Sequence, residues 1–324
     1  MYFPYLRARQ FELISLRELV NEEILQNKVI PVLEPLKENS FNNLNIAHRV
    51  FQEKDFKSYL IVNPFQGEAS GDTNIFLEYL SQLDNPHFLP AFHYSDNSSY
   101  IIESIRNYSI NECMLICLDN FTDEESFKSL CNNVAITHIM LLDPHKYRGI
   151  DRHIKQLGKF YIKLDDIFEK QPRNSEFLNI PAHKFTEEHL YYKEENYQGF
   201  SDFTVLPSEY IDGGSTPRAV VIHLTYLNQN EQNQIWIRHF TSETNDSIAN
   251  VQGKFYEAAQ KTINFCDSNQ LSNSAIEELK GYLTFENERG TVGKYPGLGT
   301  VKKISIKNHL TVVSNFLASS DVNL

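Results

Sequence analysis

Polar side chains stand at the end of one short apolar segment after another in the first two thirds of the chain. An arginine pair, Arg7 and Arg9, follows the first segment, and Glu34 ends the second. The remaining positions of this kind are Asn63, His93, Asp119, Asp143, Asp165, Asp166 and Asp202. Carboxylates are ligands that Mg²⁺ and Mn²⁺ prefer, and arginine binds phosphate through paired hydrogen bonds. We therefore expect an acidic rim with an arginine pair at one side.

Three interpretations fit this rim. A carboxylate ring would hold Mg²⁺ or Mn²⁺, which would polarise a phosphoryl group or activate water while Arg7 and Arg9 bind the phosphate. Alternatively, Glu34 and Asp119 would act as an acid–base pair on a sugar or a base. The third interpretation is structural, because Asp and Asn at strand ends cap the helices and turns that follow. Glu34 fits this third interpretation least, since a strand-end glutamate before proline is a poor helix cap.

Two histidines occupy matching places in a pair of β-rich segments nearer the C-terminus. RAVVIHLTYL and QIWIRHFTS, joined by the polar loop NQNEQN, predict an antiparallel hairpin. His223 lies in the first strand and His239 in the second, so the two can form a metal or acid–base pair. The alternative is that each histidine is a hydrogen-bonded core residue.

A glycine-rich basic segment, RGTVGKYPGLGTVKK, begins at Arg289. Its glycines, together with Lys294, Lys302 and Lys303, would bind an anion through backbone N–H groups. The segment lacks the Gly-Lys-Ser/Thr ending of a P-loop, so a plain loop with a basic rim is the alternative.

The apolar segments have the length and composition of β-strands, and amphipathic helical patterns separate them. They begin at Tyr2, Val29, Ser58, His87, Glu112, Ile136 and Lys159, and an eighth begins at Gly199. Such alternation predicts an α/β fold with a mainly parallel sheet, here a (β/α)₈ TIM-barrel-like domain with an enlarged seventh unit. An open doubly wound sheet is the alternative, although no glycine-rich phosphate turn follows the first strand. In such a barrel, function gathers at the carboxyl ends of the strands.

The pattern changes at a turn cluster, DGGSTP, which runs from Asp212 to Pro217. We predict a barrel-like β/α repeat domain over residues 1–211. Residues 212–324 are then a β-hairpin and helical C-terminal extension, packed on the barrel.

Composition narrows the class of protein. The chain has 42 acidic and 30 basic residues and a formal net charge of −12, which argues against a broad basic surface for nucleic-acid backbone. No apolar run approaches the ~18 residues of a membrane helix, and the first residues do not resemble a signal peptide. Cys113, Cys117, Cys131 and Cys266 fit no zinc or disulfide spacing and are predicted to be buried thiols. We expect a cytoplasmic protein without membrane contact.

The order of several segments resembles the bacterial Beta-protein family from Tyr2 to about Leu310. The segments are YFPYLRARQFELISLREL, IPVLEP, IVNP, GFSDF, PRAVVIHLTY, IRHF, KFYEA and GLGTVKKISIKNHL. The resemblance implies a defence-associated cytosolic protein that works with co-encoded partners against phages, and it carries over no catalytic residues. It places Arg7, Arg9, Glu12, Glu34, Asn63, Asp202, His223, His239, Lys302 and Lys303 in the recurring motifs of the family.

Together, these observations predict a component of a bacterial anti-phage defence system, with a polar pocket centred on Arg7, Glu34 and Asp202. The alternatives are a metal-assisted phosphodiester or nucleotide hydrolase, and a non-enzymatic sensor or scaffold that binds a co-encoded partner protein. The predicted ligand is a phosphate-bearing small molecule or nucleic acid, with Mg²⁺ or Mn²⁺ as the candidate cofactor. The predicted catalytic residues are Glu34, Asp202 and His223, and the predicted substrate-binding residues are Arg7, Arg9, Asn63, His239, Lys302 and Lys303.

Overall fold

The computed structural model describes residues 1–25, 27–37, 39–118, 121–211, 218–285 and 293–320. The strands, in chain order, are β1 (Tyr5–Leu6), β2 (Val32–Leu33), β3 (Ser58–Ile61), β4 (Phe88–Tyr94), β5 (Cys113–Cys117), β6 (Ile136–Leu142), β7 (Phe160–Asp165), β8 (Ala182–Thr186), β9 (Gly199–Asp202), β10 (Val221–Asn228) and β11 (Gln234–Thr241). The α-helices are α1 (Gln10–Asn21), α2 (Phe41–Glu53), α3 (Ile75–Ser81), α4 (Ser98–Asn107), α5 (Glu124–Cys131), α6 (Arg148–Gln156), α7 (Glu188–Tyr191), α8 (Val251–Ser268), α9 (Ser274–Thr284) and α10 (Leu298–Ser320).

Eight parallel strands form a nearly closed barrel with helices between the strands. They follow the order β1-β2-β3-β4-β5-β6-β7-β9, and each strand pairs in parallel with the next. Tyr2 bridges Val29 on one side and Phe200 on the other, so the first strand region meets the last. The predicted TIM-barrel-like fold is confirmed.

The barrel core consists of alternate residues along each strand, because successive side chains of a strand point to opposite faces. Tyr5, Ile61 and Met140 belong to this core, and they are almost completely buried. In β1 the neighbouring Leu6 is also buried but lies outside this cluster, on the side of the strand that faces the helices. This alternation decides which strand-end residues share the inside of the barrel.

A second sheet is antiparallel and has three strands in the order β10-β11-β8. β10 and β11 form the predicted hairpin, with His223 directly opposite His239. The helices α8 and α9 supply Phe255, Ile263 and Ile276 to one core with Ile222 and Leu224 of β10. The hairpin and the helical C-terminal extension are confirmed, whereas β8 is a strand that we did not predict.

The chain divides into two compact units. The barrel unit comprises Met1–Ile167, Glu188–Phe203 and Leu317–Leu324, and the hairpin unit comprises Phe168–Glu187 and Thr204–Phe316. The chain therefore passes from the first unit to the second and back before it reaches β10. The boundary at residues 211 and 212 stays a prediction, and residues 212–217 lie outside the described ranges.

The four cysteines are free and buried. Burial raises the pKa of Cys113, Cys131 and Cys266 to about 12, so these thiols stay protonated and are weak nucleophiles at neutral pH. This agrees with the predicted role of small apolar residues. Separately, none of the helices that the structure describes combines the length and apolar composition needed to cross a membrane.

Candidate functional site

Polar side chains at the carboxyl ends of the first four barrel strands lie above the barrel core. Each is two residues beyond a core residue of its own strand, so it shares the inward face. These side chains are Arg7 after Tyr5, Glu34 after Val32, Asn63 after Ile61, and His93 after Ala91. The structure thus brings together three predicted site residues, Arg7, Glu34 and Asn63, and we call this group with His93 and Tyr5 the mouth cluster.

A buried ion pair forms the centre of the mouth cluster. The Nε of Arg7 lies 3.9 Å from the Oε2 of Glu34, and the two side chains are 3% and 0% exposed. The guanidinium carbon of Arg7 lies 5.4 Å from the ring centre of Phe203 and 5.9 Å from that of Tyr5. These cation–π contacts restrain the guanidinium in a weakly hydrated position, where its charge acts strongly on a neighbour.

Two backbone N–H groups of the loop after β3 hold one oxygen of the Glu34 carboxylate. Its Oε1 accepts from the N–H groups of Phe65 and Gln66, at 2.8 and 3.2 Å. Its Oε2 accepts no hydrogen bond from the part of the chain that the structure describes, although it is buried. A buried carboxylate oxygen without a donor costs roughly 1–3 kcal/mol, and the Arg7 guanidinium at 3.9 Å offsets part of that cost.

The loop that carries Phe65 and Gln66 depends on Gly67. This residue has a φ of +88°, and a Cβ there would lie 2.3 Å from the carbonyl oxygen of Leu36. The same carbonyl accepts from the N–H of Glu68 at 2.8 Å, which holds the loop against the segment after β2. Glycine at this position therefore places the two donors against Glu34.

We expect Gly67→Ala to lower the free energy of unfolding by about 1–3 kcal/mol more than Gly71→Ala, measured by urea denaturation. Gly71 is a matched control, because its φ is +109° but a Cβ there would meet nothing within 4 Å. Both variants lose stability because alanine is unfavourable at a positive φ. In Gly67→Ala the new Cβ also has to displace Leu36. Equal losses for the two variants would contradict the packing argument.

Tyr5, His93 and Asn63 form a hydrogen-bonded row beside the ion pair. The Tyr5 hydroxyl lies 2.8 Å from the Nε2 of His93, and the backbone N–H of His93 donates to the Oδ1 of Asn63 at 2.8 Å. The amide of Asn63 donates back to the His93 carbonyl at 2.9 Å and to Asp72 at 3.1 Å. The Nδ1 of His93 is buried and has no hydrogen-bond partner among the described residues.

The protonation states of this row follow from burial. Burial lowers the pKa of His93, and the opposing effect of the Glu34 charge is smaller. Burial, and then the charge of Glu34, raises the pKa of Tyr5 well above its usual value. At neutral pH, therefore, His93 and Tyr5 are both uncharged, and the mouth cluster combines one cation, one anion and two neutral proton carriers.

Asp202 does not join the mouth cluster. Phe203 belongs to the barrel core, so Asp202, one residue earlier, lies on the opposite face of its strand. Its Oδ1 accepts a 2.6 Å hydrogen bond from the Tyr2 hydroxyl. The predicted trio of Arg7, Glu34 and Asp202 is thus reduced to the first two residues. Arg9 is exposed and occupies the N-cap position of α1.

Carboxylates gather around one buried lysine on the strand β7. The Nζ of Lys163, which is 5% exposed, lies 2.7 Å from Glu188, 3.4 Å from Glu195 and 3.6 Å from Asp165. Burial is the main cause that raises the pKa of Asp165 to about 7; Lys163 opposes it, whereas Glu188, Asp143 and Asp202 add to it. Asp165 of the predicted acidic rim thus belongs to a network centred on one lysine, together with two glutamates that were not part of the predicted rim.

The remaining predicted site residues lie in the hairpin unit. The Nδ1 atoms of His223 and His239 are 2.7 Å apart, and Lys302 lines a cavity of about 320 Å³ together with His223. Lys303 forms a 2.8 Å ion pair with Glu278. Asp119 and Arg289 lie outside the described residues, so the predicted Glu34–Asp119 pair stays a prediction.

Within the described ranges, no group of three or more His, Cys, Asp and Glu side chains is arranged to hold a metal ion. The predicted site residues did not include Lys163 and its two glutamates, Tyr5 or His183. Tyr5 could have been found, because it lies two residues before Arg7 on the same strand face. His183, which contacts His239 from β8, had no such signal, because its strand was not recognised.

No family model, no curated protein and no solved structure matches this chain. The function is therefore inferred from the mouth cluster, the barrel fold and the order of the sequence segments.

Proposed function

We propose that the mouth cluster binds a phosphate ester that carries a hydroxyl or N–H group close to its phosphate, such as a nucleotide or a sugar phosphate. We further propose that the chain does so as a cytoplasmic component of a bacterial anti-phage defence system of the Beta family. The ligand proposal rests on one observation, the buried Glu34 Oε2, which lies beside a restrained arginine and accepts no hydrogen bond from the described residues. The defence proposal rests on the resemblance of the ordered segments.

The ligand class follows from the charges of the ion pair. A guanidinium binds phosphate oxygens through forked hydrogen bonds, which favours an anionic group next to Arg7. Glu34 repels a bare anion at the same place, since its carboxylate lies 3.9 Å from the guanidinium. A ligand with a donor beside its phosphate satisfies both residues, because the donor supplies the hydrogen bond that Glu34 Oε2 lacks.

A hydrolase is the second candidate, and the same carboxylate oxygen favours it. A carboxylate with an unused lone pair can take a proton from water, as a general base does. The neutral Tyr5–His93 pair lies beside Glu34, where the two uncharged side chains leave Glu34 as the base of the cluster. Mg²⁺ or Mn²⁺ would then be supplied with the substrate. If the ligand binds but is not turned over, the chain acts instead as a sensor or scaffold with a co-encoded protein as its partner.

The test of binding is a calorimetric titration of the full chain with adenosine 5′-monophosphate, glucose 6-phosphate and inorganic phosphate. We expect one of the two esters to bind more tightly than inorganic phosphate. Arg7→Lys keeps the charge that Glu34 needs but loses the fork, so we expect it to weaken ester binding by roughly 10- to 100-fold. Arg106→Lys, on the exposed face of α4, is the matched control and should bind as the wild type does.

Turnover and partnership are tested on the same proteins. Phosphate release with Mg²⁺ or Mn²⁺ that is lost in Glu34→Gln and retained in Glu103→Gln, an exposed control on α4, supports the hydrolase. Ligand binding without turnover, together with a stable complex on co-expression with the neighbouring genes, supports the sensor. An Arg7→Lys protein that binds every probe like the wild type and protects cells equally from phage contradicts the proposed site.

A further inference from the structure

Three histidines form a continuous chain across the antiparallel sheet of the hairpin unit. His239 of β11 lies between the other two, because its Nδ1 is 2.7 Å from the Nδ1 of His223 and its Nε2 is 3.2 Å from the Nε2 of His183. Strand pairing fixes the order. His239 is opposite His223 in β10, and Ile237, two residues earlier on the same face of β11, is opposite His183 in β8.

His183, the first imidazole of this hydrogen-bonded row, sets the direction of every hydrogen bond in the row. The Nδ1 of His183 lies 2.9 Å from the carbonyl oxygen of Lys184 and 3.7 Å from the Oε1 of Glu169, and both oxygens only accept, so this nitrogen carries a proton. The Nε2 of a neutral His183 is then an acceptor, which makes the Nε2 of His239 the donor. His239 has no second proton, so its Nδ1 accepts from the Nδ1 of His223.

The surroundings keep the inner two imidazoles neutral, as this reasoning requires. The Phe177 ring lies 4.8 Å from His223 and 4.5 Å from His239 between ring centres, and Phe168 lies 5.1 Å from His223. Burial in this apolar environment lowers the pKa of His223 to about 3. It also lowers the pKa of His239 to about 2, with smaller contributions from the neighbouring histidines. Each ring therefore has one proton at neutral pH.

His223 is the last imidazole of the hydrogen-bonded row, and its Nε2 has a lone pair. The proton deduced for His223 lies on Nδ1, and among the described residues the hydrogen bond of His223 is the one from Nδ1 to His239, which leaves Nε2 without a partner. His223 also lines the cavity of about 320 Å³ in the hairpin unit, a volume at the lower end of small-molecule sites. The wall of that cavity includes the rings of Phe168 and Phe177.

The charge of the cavity wall selects the kind of ligand. Lys170 and Lys302 line it, and the lining residues that the structure describes include no carboxylate. Lys170 already pairs with Glu209 at 2.5 Å, so the wall is mildly rather than strongly cationic. Aromatic side chains at the wall favour a ring, through edge-to-face contacts.

We propose that this cavity is a second ligand site, which takes a small aromatic anion and accepts a hydrogen bond from its O–H or N–H group at His223 Nε2. His239 and His183 are positioning residues, because they reach the ligand only by fixing the proton of His223 on Nδ1. The site lies wholly within the hairpin unit and does not depend on the mouth cluster.

The first test is the tautomer of His223 in the wild-type chain, read from the ¹⁵N resonances of selectively labelled histidines and assigned by His223→Gln. We expect the proton on Nδ1. In His183→Phe the anchor of the chain is lost, and we expect the Nε2–H tautomer of His223 to become populated. His145→Phe, at an exposed site in the barrel unit, should leave the resonances of His223 unchanged. A wild-type His223 with its proton on Nε2 overturns the proposal.

The second test compares two probes of similar size and charge, 4-hydroxybenzoate and 4-methoxybenzoate, by titration of the same labelled protein. We expect the hydroxyl compound to shift the Nε2 resonance of His223 and to bind roughly fivefold more tightly, the worth of one hydrogen bond. Lys302→Gln should weaken both probes. Equal affinity of the two probes, or no binding of either, overturns the proposed ligand class whatever the outcome for phosphate esters.

Discussion

Arg7→Met is expected to lower the free energy of unfolding by about 3–5 kcal/mol, because it leaves the Glu34 carboxylate buried without its cation. The side chains of both residues are almost wholly buried, and the rings of Tyr5 and Phe203 lie within 6 Å of the guanidinium carbon, at 5.9 and 5.4 Å. Urea denaturation at pH 7 measures the loss. Arg106→Met removes the same charge from an exposed position on α4 and should change stability by less than about 1 kcal/mol.

The double variant Arg7→Met/Glu34→Gln separates the ion pair from simple packing. When both charges are removed, no uncompensated charge is left, so we expect it to regain a large part of the loss. If the double variant is as unstable as Arg7→Met alone, the cost comes from the shape of the arginine and not from its charge. The same result would weaken the proposed ligand site, which assumes that the two charges act on each other.

We expect the wild-type protein to lose stability between about pH 4 and pH 7 because of Asp165. In Asp165→Asn most of this loss should be absent. The pKa of Asp165 is raised from 3.8 to about 7 in the folded protein. The folded chain therefore keeps a proton that the unfolded chain has already lost, and stability falls as the pH rises through this range. A change of that size corresponds to about 4 kcal/mol.

The measurement is urea denaturation of Asp165→Asn and wild type at several values from pH 4 to pH 8. We expect the difference in unfolding free energy to shift in favour of the variant as the pH rises and to level off above about pH 8. Asp84→Asn, on an exposed position after α3, is the control and should follow the wild-type curve. Parallel curves for Asp165→Asn and wild type would show that Lys163 already compensates the carboxylate.

Strand periodicity was enough to predict the barrel, because each buried strand carries its own apolar run and its own turn. The same periodicity, applied one step further, separates inward from outward side chains at the mouth. Phe203 continues the inward row of β9, so Asp202 belongs to the outer face, where the Tyr2 hydroxyl binds it. The grouping of Asp202 with Arg7 and Glu34 overlooked this alternation.

Other features depend on contacts between distant parts of the chain and could not be predicted from local patterns. β8 is short, and its pairing partner β11 lies about 50 residues further along. His183 therefore had no visible connection to His239. Likewise, nothing near Glu34 in the sequence shows that the loop after β3 supplies donors to one of its oxygens and not to the other.

The chain enters the hairpin unit twice, at Phe168 and again at Thr204, so a shortened protein can separate strands that pair with each other. A protein cut at residue 211 would retain β8 but lose β11, to which β8 is hydrogen-bonded. The released strand would expose unpaired N–H and C=O groups and invite self-association into aggregates. A barrel fragment is therefore better sought by ending the chain after Phe203 and also replacing residues 168–187 with a short linker, because both segments of the hairpin unit are then removed together.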